Sequence, residues 1–333
     1  MSAPSLTLLL MTYNQAPFLA EAIASALAQQ GPPIEILVSD NGSTDDTPAV
    51  IARSLADYRG PHSLRQHRFA QNLGGPAAHV RAAAELCRGQ WLVFQHGDDL
   101  SMPDRIAALR PTVADPALLC CYSDVEVIDA AGRRLKSAAQ AAPAPADDAA
   151  AWFARVQAFA LGASLAIDRR LLTLFPPLPD SVYEDQVLPF RAALAGRVRY
   201  IARPLVRYRL HGANTVSQSL TQGSVAALRE AVARSTAKLE AVAASRRADL
   251  AHARQAWPER AAAFARLDAV IEASLAESQH QRAITLGPWY RRLAAALRPG
   301  RATSVRARLL ALVRALAPGI ELWHRRRRSR QDA

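Results

Sequence analysis

Two pairs of adjacent carboxylates mark the chain. Asp98 and Asp99 follow an apolar run in VFQHGDDLSMPDRI, and Glu184 and Asp185 open EDQVLPFRAALAG. Neighbouring carboxylates repel and resist desolvation, so a pair at the end of a buried segment needs a cation or a helix N-terminus. For Asp98-Asp99 one reading is helix capping, although Ser101 and Asp104 are better placed to cap the next helix. The other is a divalent cation, Mg²⁺ or Mn²⁺, held by oxygen ligands beside a diphosphate. For Glu184-Asp185, stabilisation by a helix dipole competes with general-base chemistry, in which a carboxylate accepts a hydroxyl proton. His211, in RYRLHGANTVS, is either a hydrogen-bonded loop histidine or a metal ligand donated from a distant segment. Asp40-Asn41-Gly42-Ser43 is a turn in which Asp40 or Asn41 can accept from a base N–H or a ribose hydroxyl.

The elements around these residues alternate. LTLLLMTYN reads as a strand and PFLAEAIASALAQQ as a helix, with Pro17 near its start and Gly31 closing it. IEILVSD is a second strand, followed by a helix from Thr47 to Leu55 and a short strand over His62 to Phe69. GPAAHVRAAAELCRG is a third helix and QWLVFQH a further buried strand. This spacing predicts βαβ units and a mostly parallel sheet, whose ligands bind beyond the carboxyl ends of the strands. Those ends read Thr12-Tyr13-Asn14, Asp40-Asn41 and His96 to Asp99, and all carry hydrogen-bonding groups.

Further along, ALLCCYSDVEVIDAAGRRL predicts a strand and a tight corner at Ala131-Gly132, and Lys136 to Ala150 an Ala/Pro-rich loop. FALGASLAIDRRLL predicts strand then helix, and VRYIARPLVRYRLHGANTVS strand, turn and strand. From about Gln218 the pattern is helical, with a break expected near Trp257-Pro258.

The 333 residues carry a net charge of +12, and from Arg282 onward Glu321 and Asp332 are nearly the only acids. The basicity thus belongs to the C-terminal region, and no aromatic-interleaved basic groove accompanies it, which argues against nucleic acid. The N-terminus lacks the pattern of a signal peptide, and no run reaches the roughly 18 to 20 apolar residues needed to cross a bilayer. Three cysteines without metal-ligand spacing predict buried thiols in a reducing compartment.

Four stretches in order resemble glycosyltransferase family 2: TYNQAPFLAEAIASALAQQGPPIEILVSDNGSTDDT, NLGGPAAHVRAAAELCRGQWLVFQHGDDLSMPDRI, YEDQVLPFR and PLVRYRLHGANTVS. Together they cover most of residues 5 to 217. The resemblance implies a GT-A fold, an α/β domain over 1–217 with a Rossmann-like central sheet. It implies an inverting transfer from a nucleotide-diphosphate sugar to a saccharide or lipid-linked acceptor. By position, Thr12, Tyr13, Asn14, Asp40 and Asn41 would hold the nucleoside, with Asp98 beside it. Asp99 would contact the metal directly, and His211 would be a further metal or pyrophosphate ligand. Asp185 would be the base and Glu184 would orient the acceptor. Arg191 would brace that acid pair or lie on the surface.

One residue departs from the pattern. Where many relatives carry an aspartate, this chain has His96, followed by Gly97, which admits close backbone approach to a sugar. Residues 218–333 are expected to form a helical, basic region. There Val305, Leu309, Leu312, Val313 and Leu316 share one face, and WHRRRRSR ends in a cationic cluster. An amphipathic helix packed on the domain is one reading. An anchor at an anionic membrane surface is the other, which would put a cytoplasmic enzyme at the inner face of the cell membrane. Two other classes compete with transfer. A nucleotidyltransferase normally needs a Gly-rich basic loop where this chain reads TYNQAPF, and a non-catalytic sugar-binding adaptor would leave Glu184-Asp185 without a task.

Overall fold

The computed structural model describes residues 5–138, 160–211 and 225–286. The strands β1 (Leu6–Thr12), β2 (Glu35–Asp40), β3 (Ser63–Arg68) and β4 (Trp91–His96) pair in parallel in the order β3-β2-β1-β4. Helices α1 (Ala16–Leu27), α2 (Thr47–Leu55) and α3 (Pro76–Leu86) connect them. Every residue of β1 and β2 is buried, so these strands read as continuous apolar runs rather than alternating ones. On one face Leu8, Leu10, Ile36, Val38, Trp91 and Val93 form a core with Leu19 and Ile23 of α1 and Val50 and Ile51 of α2.

The order of connection reverses between β1 and its neighbours β2 and β4, the place where open α/β sheets bind ligands. Register brings the polar ends together there, with Thr12 opposite Asp40 and Met11 opposite His96.

The second half of the sheet is mixed. A two-residue strand β5 (Leu100–Ser101) precedes α4 (Arg105–Val113) and then β6 (Leu118–Ile128) and β7 (Arg134–Ala138). The stretch expected as strand then helix forms only a 3-10 turn at Gly162–Ser164, a short β8 (Ala166–Asp168) and a second 3-10 turn at Arg169–Leu172. Then come α5 (Glu184–Ala195) and β9 (Arg197–Arg209). β8 pairs antiparallel with β4 and β6, while β6 and β9 run parallel. The expected turn inside VRYIARPLVRYR is instead a bulge within one continuous strand. Pairing with β6 jumps from Ile201 opposite Ser123 to Pro204 opposite Asp124. Proline has no N–H for the ladder, so two residues are spilled and the strand resumes. Cys87, Cys120 and Cys121 are buried and free, and burial pushes the Cys87 and Cys121 thiols up to about 12.

Beyond β9 the described chain is helical: α6 (Val225–Ala256), α7 (Ala261–Phe264) and α8 (Leu267–Leu286), broken at Trp257 and the 3-10 turn Pro258–Arg260. Among the described residues no helix is long and apolar enough to cross a membrane. The expected amphipathic helix near 303–316 and the terminal arginine cluster lie outside the described residues, as does most of the Lys136 to Ala150 loop.

The chain divides into two compact units, and the boundary is not a single cut. One holds 1–209 together with Ser245–Asp268, and the other holds Leu210–Ala244 and 269–333. In the second unit, Glu240 of α6 pairs with Arg282 of α8 at 3.1 Å. In the first, Ser245–Asp268 returns to brace α5 along its length. Arg246 donates to the carbonyl of Gln186, Arg191 forms two bonds of 2.9 Å to Asp249, and Arg260 donates to the carbonyl of Leu194. The expectation that Arg191 braces the acid pair or lies on the surface is thus replaced. Its side chain is 1% exposed, that of Asp249 2%, and the guanidinium also lies over the Phe175 ring at 5.2 Å.

Burial pushes the Asp249 carboxyl up, against the opposing pull of Arg191, as expected where two charges leave water together. The pair therefore specifies geometry more than it stabilises. Asp249→Leu alone should cost about 3–5 kcal/mol by stranding a buried guanidinium, and adding Arg191→Met should recover most of that loss. Denaturant unfolding of the two single variants and the double variant checks this. A double variant as unstable as Asp249→Leu would show that packing around the pair, not its charge, holds α5.

Candidate functional site

The site begins where β1, β2 and β4 stop. Asp40, fully buried at the end of β2, accepts from the Ser43 N–H at 3.0 Å and from its hydroxyl at 2.5 Å through Oδ1. Its Oδ2 has no hydrogen-bond partner among the described residues, and Arg68 Nε of β3 stands 3.4 Å away. Asn41, the other acceptor candidate, is committed to the fold: its N–H donates to Thr12 O and its Oδ1 accepts from Leu73 N–H at 3.1 Å. Asn14, in the left-handed region at φ 51°, likewise ties β1 to the turn, since its Oδ1 accepts from Thr44 N–H at 2.8 Å. Of these groups Asp40 is the one with an uncommitted acceptor. Tyr13 is 41% exposed beside them. A groove of about 340 Å³ opens next to Asp40, lined also by Pro48, Ile51, Gln66, His67 and Arg68.

Gly97 explains how β4 can end against β1. A Cβ there would stand 2.6 Å from both Thr12 Oγ1 and Gln15 Oε1, so only glycine allows the approach. Beside it, Gly97 N–H donates to Met11 O and Thr12 Oγ1 donates to Gln15 Oε1. The next turn places Asp98 and Asp99 below the surface, 8% and 0% exposed. Asp99 is no helix cap: its Oδ1 accepts from Arg209 N–H at 2.8 Å, and its buried Oδ2 has no hydrogen-bond partner among the described residues. The cap position of α4 falls to Asp104.

His96, Asp98 and Asp99 offer one ligand atom each within 4.8 Å of one another, the one such cluster among the described residues. Burial pushes the Asp99 carboxyl well up, the Asp98 charge adds to this, and His96 and Arg209 only partly offset it. The His96 imidazole spans two acids, 3.9 Å from Asp99 Oδ2 and 3.6 Å from Glu184 Oε1. Burial works to lower its pKa, but Glu184, Asp99 and Asp98 outweigh it and push it up to about 9. With the Asp99 carboxyl and the His96 imidazole both pushed up, the pocket favours added positive charge. Its hard oxygen donors and one imidazole are a donor set that fits a divalent cation such as Mg²⁺ or Mn²⁺.

Glu184 and Asp185 form the first turn of α5 behind Tyr183, so the helix dipole favours both carboxylates. Glu184 is 2% exposed. Opposite it stands Gly162, where a Cβ would lie 2.6 Å from Glu184 Oε1 and 3.0 Å from His96 Cε1. The Gly162 N–H donates to Asp185 Oδ2 at 3.3 Å. Tyr208 of β9 sits in the combined field of these groups. Burial, and then Asp99, Asp98 and Asp185, push its phenol up to about 12, so it remains a proton donor. His211 lies two residues after the end of β9.

Three residues outside the sequence-based set hold the site. Arg209, 1% exposed, donates its backbone N–H to Asp99, Nε to Asp98 O and Nη1 to Ala130 O, and its Nη2 pairs with Glu21 at 2.6 Å. It also covers the Phe18 ring at 5.1 Å. The signal was an arginine at an inward position of an alternating strand, two residues before His211. Gly162 showed only as a glycine inside a strand-like run, and Arg68 as the last residue of a strand beside Asp40.

A sequence profile of Glycosyl transferase family 2 matches residues 7–162. The chain is 26% identical to an uncharacterized glycosyltransferase of Nostoc over 215 residues, 63% of this chain and 66% of the relative. It is 30% identical to the succinoglycan biosynthesis protein ExoO of Rhizobium meliloti over 138 residues, 41% and 38% of the two chains. These matches therefore span less than two thirds of each relative's length. Among solved structures, Staphylococcus aureus TarS in complex with UDP-GlcNAc aligns with a TM-score of 0.53 at 16% identity, over 98% of this chain and 92% of that one. The mannosyltransferase PcManGT of Pyrobaculum calidifontis, in complex with GDP-Man and Mn²⁺, aligns with a TM-score of 0.52 at 18% identity, over 97% and 88%. At such identities these structures establish the shared fold. Residues 7–162, just under half of the chain, thus match as a glycosyltransferase family 2 domain.

Proposed function

We propose that the protein is an inverting glycosyltransferase of cell-surface polysaccharide biosynthesis. It would move a sugar from a nucleotide-diphosphate sugar to a hydroxyl of a saccharide or lipid-linked saccharide. The observation that carries this reading is the buried His96, Asp98 and Asp99 cluster at the switch point of the sheet, joined through His96 to the acids of α5. The names of relatives in succinoglycan and chondroitin synthesis support the polysaccharide setting.

Each group has a task in this reading. The nucleoside lies across the ends of β1 and β2, where Asp40 Oδ2 accepts from a base N–H and the groove beside Arg68 takes the ring. Thr12, Tyr13 and Asn14 shape its floor, and Asp98 faces the ribose side. Asp99, with His96 beside it, would hold Mg²⁺ or Mn²⁺, which when bound would offset the charge developing on the departing diphosphate. Asp185, oriented by the Gly162 N–H, accepts the proton of the acceptor hydroxyl as it attacks the anomeric carbon from the face opposite the diphosphate. Glu184 holds His96 and contacts the acceptor. The inner face of the cell membrane is the proposed location, with the basic C-terminal region as the contact.

Thermal unfolding with a panel of nucleotide sugars, with and without Mn²⁺, identifies the donor. A ligand at about 100 times its Kd adds about 2.7 kcal/mol of apparent stability. Asp99→Ala should abolish the metal dependence of that shift, and a shift in the variant that still requires Mn²⁺ would move the metal elsewhere.

Asp185→Asn should keep the donor-induced shift and lose about 10²–10⁴-fold in turnover. Full turnover in this variant would remove Asp185 from the base role. Donor hydrolysis without acceptor separates transfer from a binding-only adaptor, which should release no nucleoside diphosphate.

A further inference from the structure

The last three turns of the long helix α6 belong to the same compact unit as the acid pair. Their role is not exhausted by the Arg191–Asp249 brace. One turn before Asp249, Arg246 extends toward the opposite end of α5. Its Nε and Nη2 donate to the carbonyl of Gln186 at 3.2 and 2.8 Å, one residue from Asp185, and its guanidinium lies 5.8 Å from the centre of the Phe190 ring.

The first turn of α5 needs such a partner. Pro189 lies inside the helix, so it has no N–H for the carbonyl of Asp185 four residues earlier, and its ring crowds that carbonyl. The segment that must hold a base is thus poorly fixed by its own ladder. We propose that Arg246 is a positioning residue for Asp185: its guanidinium clamps the proline-weakened first turn of α5 and sets a fixed cation beside the carboxylate. The C-terminal helix is then part of the reacting site. This rests on the reading of Asp185 as the base.

Electrostatics agree with the geometry. Burial lowers the Arg246 guanidinium to about 10, and Asp185 is the first charge that works against the loss, followed by Asp249. Other described groups also lie near Asp185. Glu184 is an acid on the same turn, Tyr183 and Tyr208 are phenols that Asp185 itself pushes up after burial, and Gly162 offers a backbone N–H. A cation beside a carboxylate favours its ionised form, so removing it raises the pKa.

The test tracks the melting-temperature difference produced by Asp185→Asn from about pH 3 to about pH 8, in the full chain and without substrate. In an Arg246→Gln background the midpoint of that difference should move up by about one pH unit, and Arg246→Lys should restore it. The paired substitution Arg191→Met with Asp249→Leu should leave it in place, since that pair braces α5 without facing Asp185. Should Arg246→Gln not fold, Phe190→Leu, which removes the ring beneath the guanidinium, is expected to move the midpoint in the same direction. An unmoved midpoint in Arg246→Gln, or in Phe190→Leu where that variant is used, overturns the assignment, even with Asp185→Asn inactive. Full turnover in Asp185→Asn together with a moved midpoint would instead overturn the base reading and leave the contact between the two residues standing.

Discussion

Negative charge taken out of water is the constraint on which the rest of this site depends. Asp40 and Asp99 are fully buried, Asp98 and Glu184 nearly so, and all stand at the carboxyl ends of strands or in the first turn of a helix. A buried carboxylate without a partner costs several kcal/mol, far more than a loop residue contributes elsewhere. Each acid is therefore met by something specific. Asp40 has the Ser43 turn and Arg68, Asp99 has the backbone of Arg209, Asp185 has Gly162, and Glu184 has His96. What is left over, the second oxygens of Asp40, Asp99 and Glu184, lines the candidate site.

Compensation on this scale comes from far away in sequence. Arg209 reaches back to α1 through Glu21, to the β6–β7 corner through Ala130 and to Asp99 and Asp98, which are 110 and 111 residues earlier. Local geometry is set just as tightly. Gly97 lets β4 close on β1, and Gly162 lets the turn before β8 close on Glu184 and His96. One Cβ at either place would push apart two elements whose polar ends must meet.

The parallel half of the sheet was legible because its strands are continuous apolar runs broken by Pro-started helices, and periodicity reports burial directly. Thr12, Asp40, His96 and Asp99 were legible for the same reason, as polar residues at the ends of such runs. Other parts depended on partners that no local pattern reveals. Pro204 looked like a turn, but pairing with β6 absorbed it as a bulge. Arg191 looked like a neighbour of the acids on its own helix, yet its position in the next turn points it at Asp249, 58 residues onward. The unit boundary was hidden likewise, since Ser245–Asp268 is as helical as its surroundings and differs only in what it packs against. Asp40 and Asn41 are equivalent as neighbours in one turn, and only the fold separates them, because Leu73 claims the Asn41 side chain.

His96 shows how the charge constraint bears on what sets this chain apart. An aspartate there would add a further acid to Asp98, Asp99 and Glu184, and the pocket would need more cation to hold it. Histidine reverses that demand. With its pKa pushed up to about 9, the imidazole carries a proton at neutral pH and stands between Asp99 and Glu184, so it connects the Asp98-Asp99 pair to the acid pair of α5. In the proposed reading, ligation of a metal by His96 would require the neutral ring, so binding would displace that proton. The same side chain would then serve two states of the site, as a cation before the metal and as a ligand with it. Each state would place positive charge among the same carboxylates, which a titratable donor can satisfy in both.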